Sequence, residues 1–86
     1  MKVTIVNQKN GNRHETSLGG FKAEQLWILG CAYESGKMTE TEYSLLNDEI
    51  LKLKVGSYYA TAYGLVRVMD DKLLAIEALQ IAASLN

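Results

Sequence analysis

The side chains that could carry out acid–base or nucleophilic chemistry are few in this chain and are far apart in sequence. His14 is the only histidine and Cys31 the only cysteine. General acid–base catalysis or metal binding by His14 needs an acidic or thiol neighbour in register, and its predicted strand position opposite Asn7 offers none. We therefore interpret His14 as a surface or core-edge histidine.

Cys31 would be a nucleophile only if a cation or a helix N-terminus stabilised its thiolate. Neither is nearby in the sequence, and Cys31 lies in the middle of a predicted helix, on its apolar stripe. We predict a small buried side chain that serves packing. A single thiol cannot form an intramolecular disulfide, which favours a cytoplasmic protein. All apolar stretches are shorter than the roughly 18–20 residues that span a bilayer, so we expect no membrane association.

Two pairs of adjacent carboxylates, Asp48-Glu49 and Asp70-Asp71, are the remaining candidates for acid–base chemistry. Neighbouring helical residues point about 100° apart, so adjacency does not bring two carboxyl groups together. A solvated helix face explains the first pair, and capping of a helix explains the second. Gly19-Gly20 lacks the Lys-Ser/Thr of a phosphate-binding loop. We predict no catalytic residue, no metal site and no cofactor, and a protein that is not an enzyme.

The charges are unevenly distributed, although the formal net charge is only −1. Residues 1–22 have a net charge of +3, and residues 23–51, with six carboxylates against Lys37, have a net charge of −5. The first segment contains four basic residues against Glu15: Lys2, Lys9, Arg13 and Lys22. The second contains the predicted acidic face: Glu34, Glu40, Glu42, Asp48 and Glu49.

The segment Gly36-Lys37-Met38-Thr39 is the most strongly specified turn. Gly36 suits the left-handed position that closes a helix. Thr39 and Glu42 have the spacing of a capping box, and Met38 and Tyr43 that of a hydrophobic staple. These signals predict two helices folded back on each other over residues 21–54.

Eight residues of this segment resemble the pattern of the SHOCT (short C-terminal domain) family. They are Leu26, Leu29, Gly36, Met38, Thr39, Glu42, Tyr43 and Leu51. The resemblance is confined to residues 24–53. SHOCT members carry such a helical hairpin at the end of a larger protein, where it is thought to mediate interactions or assembly. The resemblance therefore implies a contact module rather than chemistry.

The N-terminal segment predicts a β-hairpin over residues 2–18, because Asn10-Gly11 favours a two-residue turn. This turn would place Val3 opposite Leu18 and Ile5 opposite Thr16. Gly19-Gly20 is expected to break the strand before the first helix. That helix has a broad apolar stripe, which suggests burial on more than one side.

Residues 57–84 allow two interpretations of their first half. As a helix capped by Ser57, the segment aligns four residues on one side: Tyr58, Ala62, Leu65 and Met69. As a strand, it has a high content of Tyr, Thr and Val. We favour the helix, because apolar residues fill both faces of the strand and no turn separates it from Asp70. Asp70 or Asp71 then caps a final, alanine-rich helix.

The aromatic residues are expected to lie mostly in the core, with at least one of them exposed at an interface. They include Trp27, Tyr58, Tyr59 and Tyr63.

Together these elements predict a single domain of residues 1–86 with an α+β fold that is mainly α. The N-terminal β-hairpin would pack on a three- or four-helix bundle. Residues 57–85 supply more apolar surface than so short a chain needs for its own core. This favours a homodimer, or a docking surface for another protein.

The leading functional hypothesis is a small, non-enzymatic protein–protein interaction module. Its acidic face would contact a basic surface of another protein. By analogy of size and composition alone, such a chain fits a phage or mobile-element accessory protein that inhibits a host complex by occupying it.

The alternative is a nucleic-acid-binding accessory protein that uses the basic β-hairpin through Lys2, Lys9, Arg13 and Lys22. DNA readout by a helix-turn-helix is disfavoured, because the second helix begins Thr39-Glu40-Thr41-Glu42 and phosphates repel that face. Nucleic acid is therefore the less favoured partner.

Overall fold

The computed structural model describes residues 1–85 and contains four strands and three helices. The strands are β1 (Lys2–Asn7), β2 (Arg13–Ser17), β3 (Tyr58–Thr61) and β4 (Gly64–Met69). The helices are α1 (Leu18–Glu34), α2 (Glu40–Leu51) and α3 (Asp71–Ser84). The strands form one antiparallel sheet in the order β2-β1-β4-β3. None of the helices formed by residues 1–85 combines the length and the apolar character that crossing a bilayer requires.

The chain divides into two compact units. The helical unit consists of Met1 and Ser17–Leu53, and the sheet unit consists of Lys2–Thr16 and the chain from Lys54 onward. The two units differ in charge. The helical unit has three lysines against six carboxylates, a net charge of −3, whereas the sheet unit has six basic residues against four carboxylates, a net charge of +2.

The predicted mainly α fold, with the β-hairpin packed on a three- or four-helix bundle, is wrong. Residues 57–69 form a second β-hairpin instead of a helix, so the structure has a four-stranded sheet and three helices. β4 is a central strand between β1 and β3. Val66 and Val68 are buried on one of its faces and Met69 on the other. A central strand covered on both faces shows no alternation of polar and apolar residues, and this absence misled the prediction.

The turn of this second hairpin is made without Asn-Gly. Ala62 and Tyr63 form the loop, and Thr61 pairs with Gly64. The Thr61 hydroxyl accepts the Tyr63 N–H at 3.2 Å and donates to the Gly64 carbonyl at 2.8 Å. Gly64 has a φ of 120°, which side chains other than glycine rarely adopt. The Thr61 hydroxyl thus stabilises a turn that has no recognisable signal in the sequence.

Ser57, predicted to cap a helix, lies instead in a β-bulge before β3. The Gly56 N–H donates to the Val68 carbonyl at 2.7 Å, and the Val68 N–H donates to the Ser57 carbonyl at 2.9 Å. Gly56 and Ser57 therefore both lie opposite Val68, and Gly56, with a φ of 94°, occupies the first position of the bulge.

The predicted N-terminal hairpin is present, but its loop is longer than expected. Residues 8–10 form the loop, and Gly11, at φ 75°, begins a β-bulge opposite Asn7. The Gly11 N–H donates to the Asn7 carbonyl at 2.9 Å, and the Asn7 N–H donates to the Asn12 carbonyl at 2.8 Å. Asn7 therefore lies opposite Asn12, whereas the predicted two-residue turn would place it opposite His14. The Leu18 N–H accordingly bonds to the Met1 carbonyl, and the predicted pairing of Leu18 with Val3 is wrong.

The helical unit begins earlier than predicted, because Gly19-Gly20 lies inside α1. The Ser17 hydroxyl caps the helix by accepting the Gly20 N–H at 2.9 Å. A glycine in the first helical turn is tolerated there because the cap satisfies its N–H group.

The predicted turn between the two helices is confirmed. Gly36 has a φ of 78° and donates its N–H to the Tyr33 carbonyl, while the Lys37 N–H donates to the Ala32 carbonyl. These two bonds define a Schellman motif at the end of α1.

The capping box that starts α2 is also present. Thr39 Oγ1 accepts the Glu42 N–H at 3.2 Å, and Glu42 Oε1 accepts the Thr39 N–H at 3.0 Å. Across the hairpin, the rings of Tyr33 and Tyr43 stack with centroids 4.4 Å apart. The staple contact of Tyr43 with Met38 stays a prediction.

Replacing Thr39 with alanine should lower the free energy of unfolding by about 1 kcal/mol, because the Glu42 N–H loses the hydroxyl that accepts it. Urea denaturation followed by circular dichroism measures this loss. Thr41→Ala is the matched control, since Thr41 is exposed on the first turn of α2 and makes no cap bond. Equal losses for the two variants would contradict the assigned cap.

Val68→Ala should lower the free energy of unfolding by about 2 kcal/mol, since Val68 is fully buried on β4. Leu65→Ala should cost about half as much or less, because Leu65 is 47% exposed. The helical interpretation of this segment placed Leu65 inward and Val68 elsewhere, so it requires the opposite order. Urea midpoints of the two variants distinguish the strand from the helix.

Candidate protein-binding surface

The only histidine and the only cysteine of the chain are both exposed. His14 lies on β2, an edge strand, with its side chain at the surface. Cys31 is a free, exposed thiol, so the prediction that it is buried is wrong. α1 buries the side that carries Phe21, Gln25 and Leu29, and Cys31 lies outside it. Among residues 1–85, no three His, Cys, Asp or Glu side chains are grouped so that they could hold a metal ion.

The pair Asp70-Asp71 lies at the start of α3, where Asp70 caps the helix, and the pair Asp48-Glu49 lies on a solvent-exposed side of α2. Asp70 is the N-cap of α3, and its Oδ1 accepts the Leu73 N–H at 2.8 Å. Asp71 follows in the first turn, where a negative charge is favourable next to the helix dipole. Asp48 and Glu49 are both exposed on α2.

An open cavity of about 230 Å³ lies beside the cap of α3. Its lining residues are Lys2, Val3, Thr4, Asp70, Asp71 and Lys72. The lining includes two lysines and two aspartates, and the carboxylate of Asp70 accepts the cap hydrogen bond. The lining contains neither histidine nor cysteine.

The four basic residues predicted as a nucleic-acid contact do not act as one set. Lys2 forms an ion pair with Glu15 at 3.2 Å. Lys22 belongs to the helical unit, where its Nζ donates to the Leu51 carbonyl at the end of α2, at 2.9 Å. A lysine at this position offsets the negative end of the helix dipole. Lys9 and Arg13 remain as exposed cations of the first hairpin.

The five residues of the predicted acidic face are all exposed, but helical spacing divides them into separate groups. Glu42 and Glu49 are seven residues apart and share one edge of α2, whereas Glu40 and Asp48 lie toward the other edge. Glu34 lies at the end of α1.

Exposed leucines lie between these carboxylates. Leu45 is 66% exposed, three residues after Glu42 and four before Glu49. Leu51 is 53% exposed and follows Asp48 by three residues. Since residues three and four apart are neighbours on a helix surface, each leucine is adjacent to at least one carboxylate.

Glu42 also has a structural role. Its carboxylate accepts the Thr39 N–H, and this bond, with that between the Thr39 side chain and Glu42, lowers the pKa of Glu42 below its usual value of 4.5. Of the predicted acidic residues, Glu42 is thus the one whose replacement would alter the fold as well as the charge.

Trp27 is the main residue that the sequence interpretation missed. The sequence predicts aromatic residues that lie mostly in the core, but Trp27 is 71% exposed on α1. Tyr58 and Tyr63 are also exposed, at 52% and 88%, whereas Tyr59 is buried. The width of the apolar stripe was the available signal: one helix side cannot bury all of it. The buried side of α1 was not recognised in the sequence, because the polar residue Gln25 lies at the centre of that side.

We define the acidic–apolar surface as the exposed side chains of α1 and α2 in the helical unit. Its large apolar members are Trp27, Ile28, Leu45 and Leu51, and its carboxylates are Glu24, Glu34, Glu40, Glu42, Asp48 and Glu49. Glu24 lies three residues before Trp27 on α1, so the two are neighbours on the helix surface. An exposed tryptophan is unusual for a surface that contacts only water.

Comparison with known proteins finds no family model that matches the sequence, no curated protein with significant similarity and no solved structure with a significant match. The resemblance of residues 24–53 to the SHOCT pattern therefore stays a prediction from the residues quoted for it.

The capping box should make stability depend on pH through Glu42. Because its pKa is lowered in the folded state, the ionised carboxylate stabilises the fold above pH 4.5, and this contribution is lost as the pH falls through the lowered pKa. The urea midpoint of Glu42→Gln should therefore lie below that of the wild type at pH 7 and converge with it in acid. Glu49→Gln, which removes a carboxylate of the same helix without touching the cap, is the control. A constant difference from pH 7 to pH 3 would contradict the mechanism.

Proposed function

We propose that this chain is a small, non-enzymatic protein-binding module, and that the acidic–apolar surface is its contact region. The observation that carries the proposal is the exposure of Trp27 on a helix whose opposite side is buried. The partner would present an apolar pocket bordered by basic side chains.

Trp27 has the properties of an anchor for such a contact. An aromatic side chain buries roughly 150–250 Å² when a partner covers it, and tryptophan is enriched among the residues that dominate interface energetics. α1 also holds its indole on a regular helix, so little conformational entropy is lost on binding.

The carboxylates would increase the selectivity of binding and the rate of association. Since the helical unit has a net charge of −3, a basic partner is attracted before contact and an acidic one is repelled. Leu45 and Leu51 lie next to these charges, which provides the usual arrangement of an apolar centre with a polar rim.

The remaining parts of the hypothesis fit this surface. A contact module is also what the SHOCT-like segment implies. An inhibitor that acts by occupying a basic site, as hypothesised from size and composition, needs no more than such a surface. A cytoplasmic location stays part of the proposal and rests on the single cysteine.

The nucleic-acid alternative is supported less well. Lys2 is paired with Glu15, and Lys22 is bonded to the end of α2. Lys9 and Arg13 alone leave few phosphate contacts, and phosphate contacts supply the non-specific affinity.

Selection from a displayed random-peptide library tests the proposal with a defined probe. Peptides selected by the wild-type chain should combine Lys or Arg with a large apolar residue. Trp27→Ala should weaken their binding at least 30-fold, which corresponds to about 2 kcal/mol for a central anchor. Glu40→Lys combined with Glu49→Lys should weaken it further and slow association. This pair leaves out Glu42, so the cap is retained.

Tyr63→Ala is the matched control, because Tyr63 is an 88% exposed aromatic residue of the sheet unit. It should leave peptide affinity unchanged. Selected peptides without basic residues would contradict the charge argument, and equal affinity for wild type and a folded Trp27→Ala would contradict the whole proposal.

A further inference from the structure

Thr4 is a buried threonine at the cavity that lies beside the cap of α3. It is 6% exposed, belongs to β1 and lines this cavity together with the first residues of α3. Thr4 pairs with Met69 of β4, so the two side chains lie on the same face of the sheet. Arg67, two residues before Met69, shares that face and forms an ion pair with Glu77 of α3. Thr4 therefore points to the side of the sheet on which α3 lies.

The hydroxyl group of Thr4 makes no hydrogen bond to any other described residue of the chain. Within residues 1–85, every side-chain oxygen that is enclosed by the protein has a partner. The Thr4 hydroxyl, which has none, must therefore be open to solvent. Because so little of the residue is exposed, the cavity that it lines is where solvent reaches it. Thr4 thus directs an unbonded hydroxyl into the cavity.

The folded chain makes no use of this hydroxyl. Valine has nearly the same shape as threonine and is equally suited to a strand, and a buried hydroxyl without a partner in the protein costs stability. The hydroxyls of Thr39 and Thr61 differ in this respect, because each accepts a backbone N–H. A ligand in the cavity would supply the partner that the Thr4 hydroxyl lacks.

The other polar groups of the lining carry charges of both signs. Asp71 and Lys72 form no ion pair among the described residues. Lys2, in contrast, is paired with Glu15, and the Asp70 carboxylate caps the helix. The first N–H groups of α3 have no carbonyl partner within the helix, as at every helix start. The lining therefore combines hydrogen-bond donors, a lysine and an unpaired carboxylate.

We propose that this cavity binds a small α-amino acid in its zwitterionic form. The ligand carboxylate accepts hydrogen bonds from the Thr4 hydroxyl and the first N–H groups of α3, next to Lys72. The ligand ammonium group donates to Asp71. A simple anion would be attracted by Lys72 and the helix dipole but repelled by Asp71, and a simple cation would meet the reverse. A zwitterion is favoured because it uses both charges of the lining.

The size and polarity of the cavity limit the side chain of this amino acid. Its volume of about 230 Å³ corresponds to roughly seven water molecules, which is close to the size of serine. The lining is polar apart from Val3, so it offers little apolar surface to an aromatic or long aliphatic side chain. Serine, alanine and glycine are therefore the amino acids that fit best.

Titration of the isotope-labelled full chain with L-serine, followed by NMR, tests the proposal. The amide signals of Thr4, Asp71 and Lys72 should shift and reach saturation. N-acetylserine and serine methyl ester each keep only one of the two charges, so they should bind about tenfold more weakly. Tighter binding of inorganic phosphate or Mg²⁺ than of serine would show that the cavity takes a simple ion and would overturn the proposal, as would serine shifts that do not saturate.

Thr4→Val distinguishes a ligand-binding hydroxyl from a structural one. It should weaken serine binding about tenfold and leave the urea midpoint unchanged or higher, because the hydroxyl has no partner in the folded chain. Thr16→Val is the matched control, since Thr16 is a half-buried threonine of the neighbouring strand β2 outside the cavity lining. It should leave serine binding unchanged.

Asp71→Asn provides a second variant that does not depend on the sheet interior. It removes the carboxylate that faces the ligand ammonium group and keeps the cap, which belongs to Asp70. It should also weaken serine binding about tenfold. Undiminished serine binding by folded Thr4→Val or by Asp71→Asn would overturn the proposal. A lowered urea midpoint of Thr4→Val with unchanged serine affinity would assign the hydroxyl to folding and would overturn it equally.

Discussion

The fold depends on β4 being paired along both of its edges. Ile5 of β1 lies opposite Val68 on one side, and on the other Val68 is bonded to the bulge formed by Gly56 and Ser57. The two partner segments are far apart in the sequence, and Ser17–Leu53 of the helical unit lies between them in the chain. Closing so long a segment costs entropy before any pairing energy is gained. The sheet unit therefore depends on the non-local pairing of β1 with β4, whereas the hairpin of α1 and α2 is built from local contacts.

This difference explains which parts of the fold could be predicted. The turn at Gly36 and Thr39 depends on residues within one or two helical turns, and its Schellman motif and capping box have recognisable spacings. The Asp70 cap is local in the same way. β4 has no comparable local signal, because one of its neighbours in space, β1, is distant in sequence and both of its faces are partly covered. Thr61 forms a turn that composition alone does not distinguish from a helix interior.

The same distinction applies to the candidate binding surface. The acidic residues could be found from composition, since carboxylates on a short helix lie at the surface. The exposure of Trp27 and Cys31 could not, because an apolar residue is assigned to the core until the buried side is known. Gln25 shows the limit clearly: its burial fixes the orientation of α1, and nothing in a glutamine predicts it. Engagement of Lys22 by the Leu51 carbonyl likewise required the structure, as these residues lie on different helices.

The exposure of the single tryptophan also decides what spectroscopy of this protein reports. An indole that is already mostly in water in the folded state changes its surroundings little when the chain unfolds. Tryptophan emission is therefore a poor measure of folding for this molecule, and circular dichroism is the better one. The same emission responds to whatever covers α1, so it reports occupancy of the surface without any attached label.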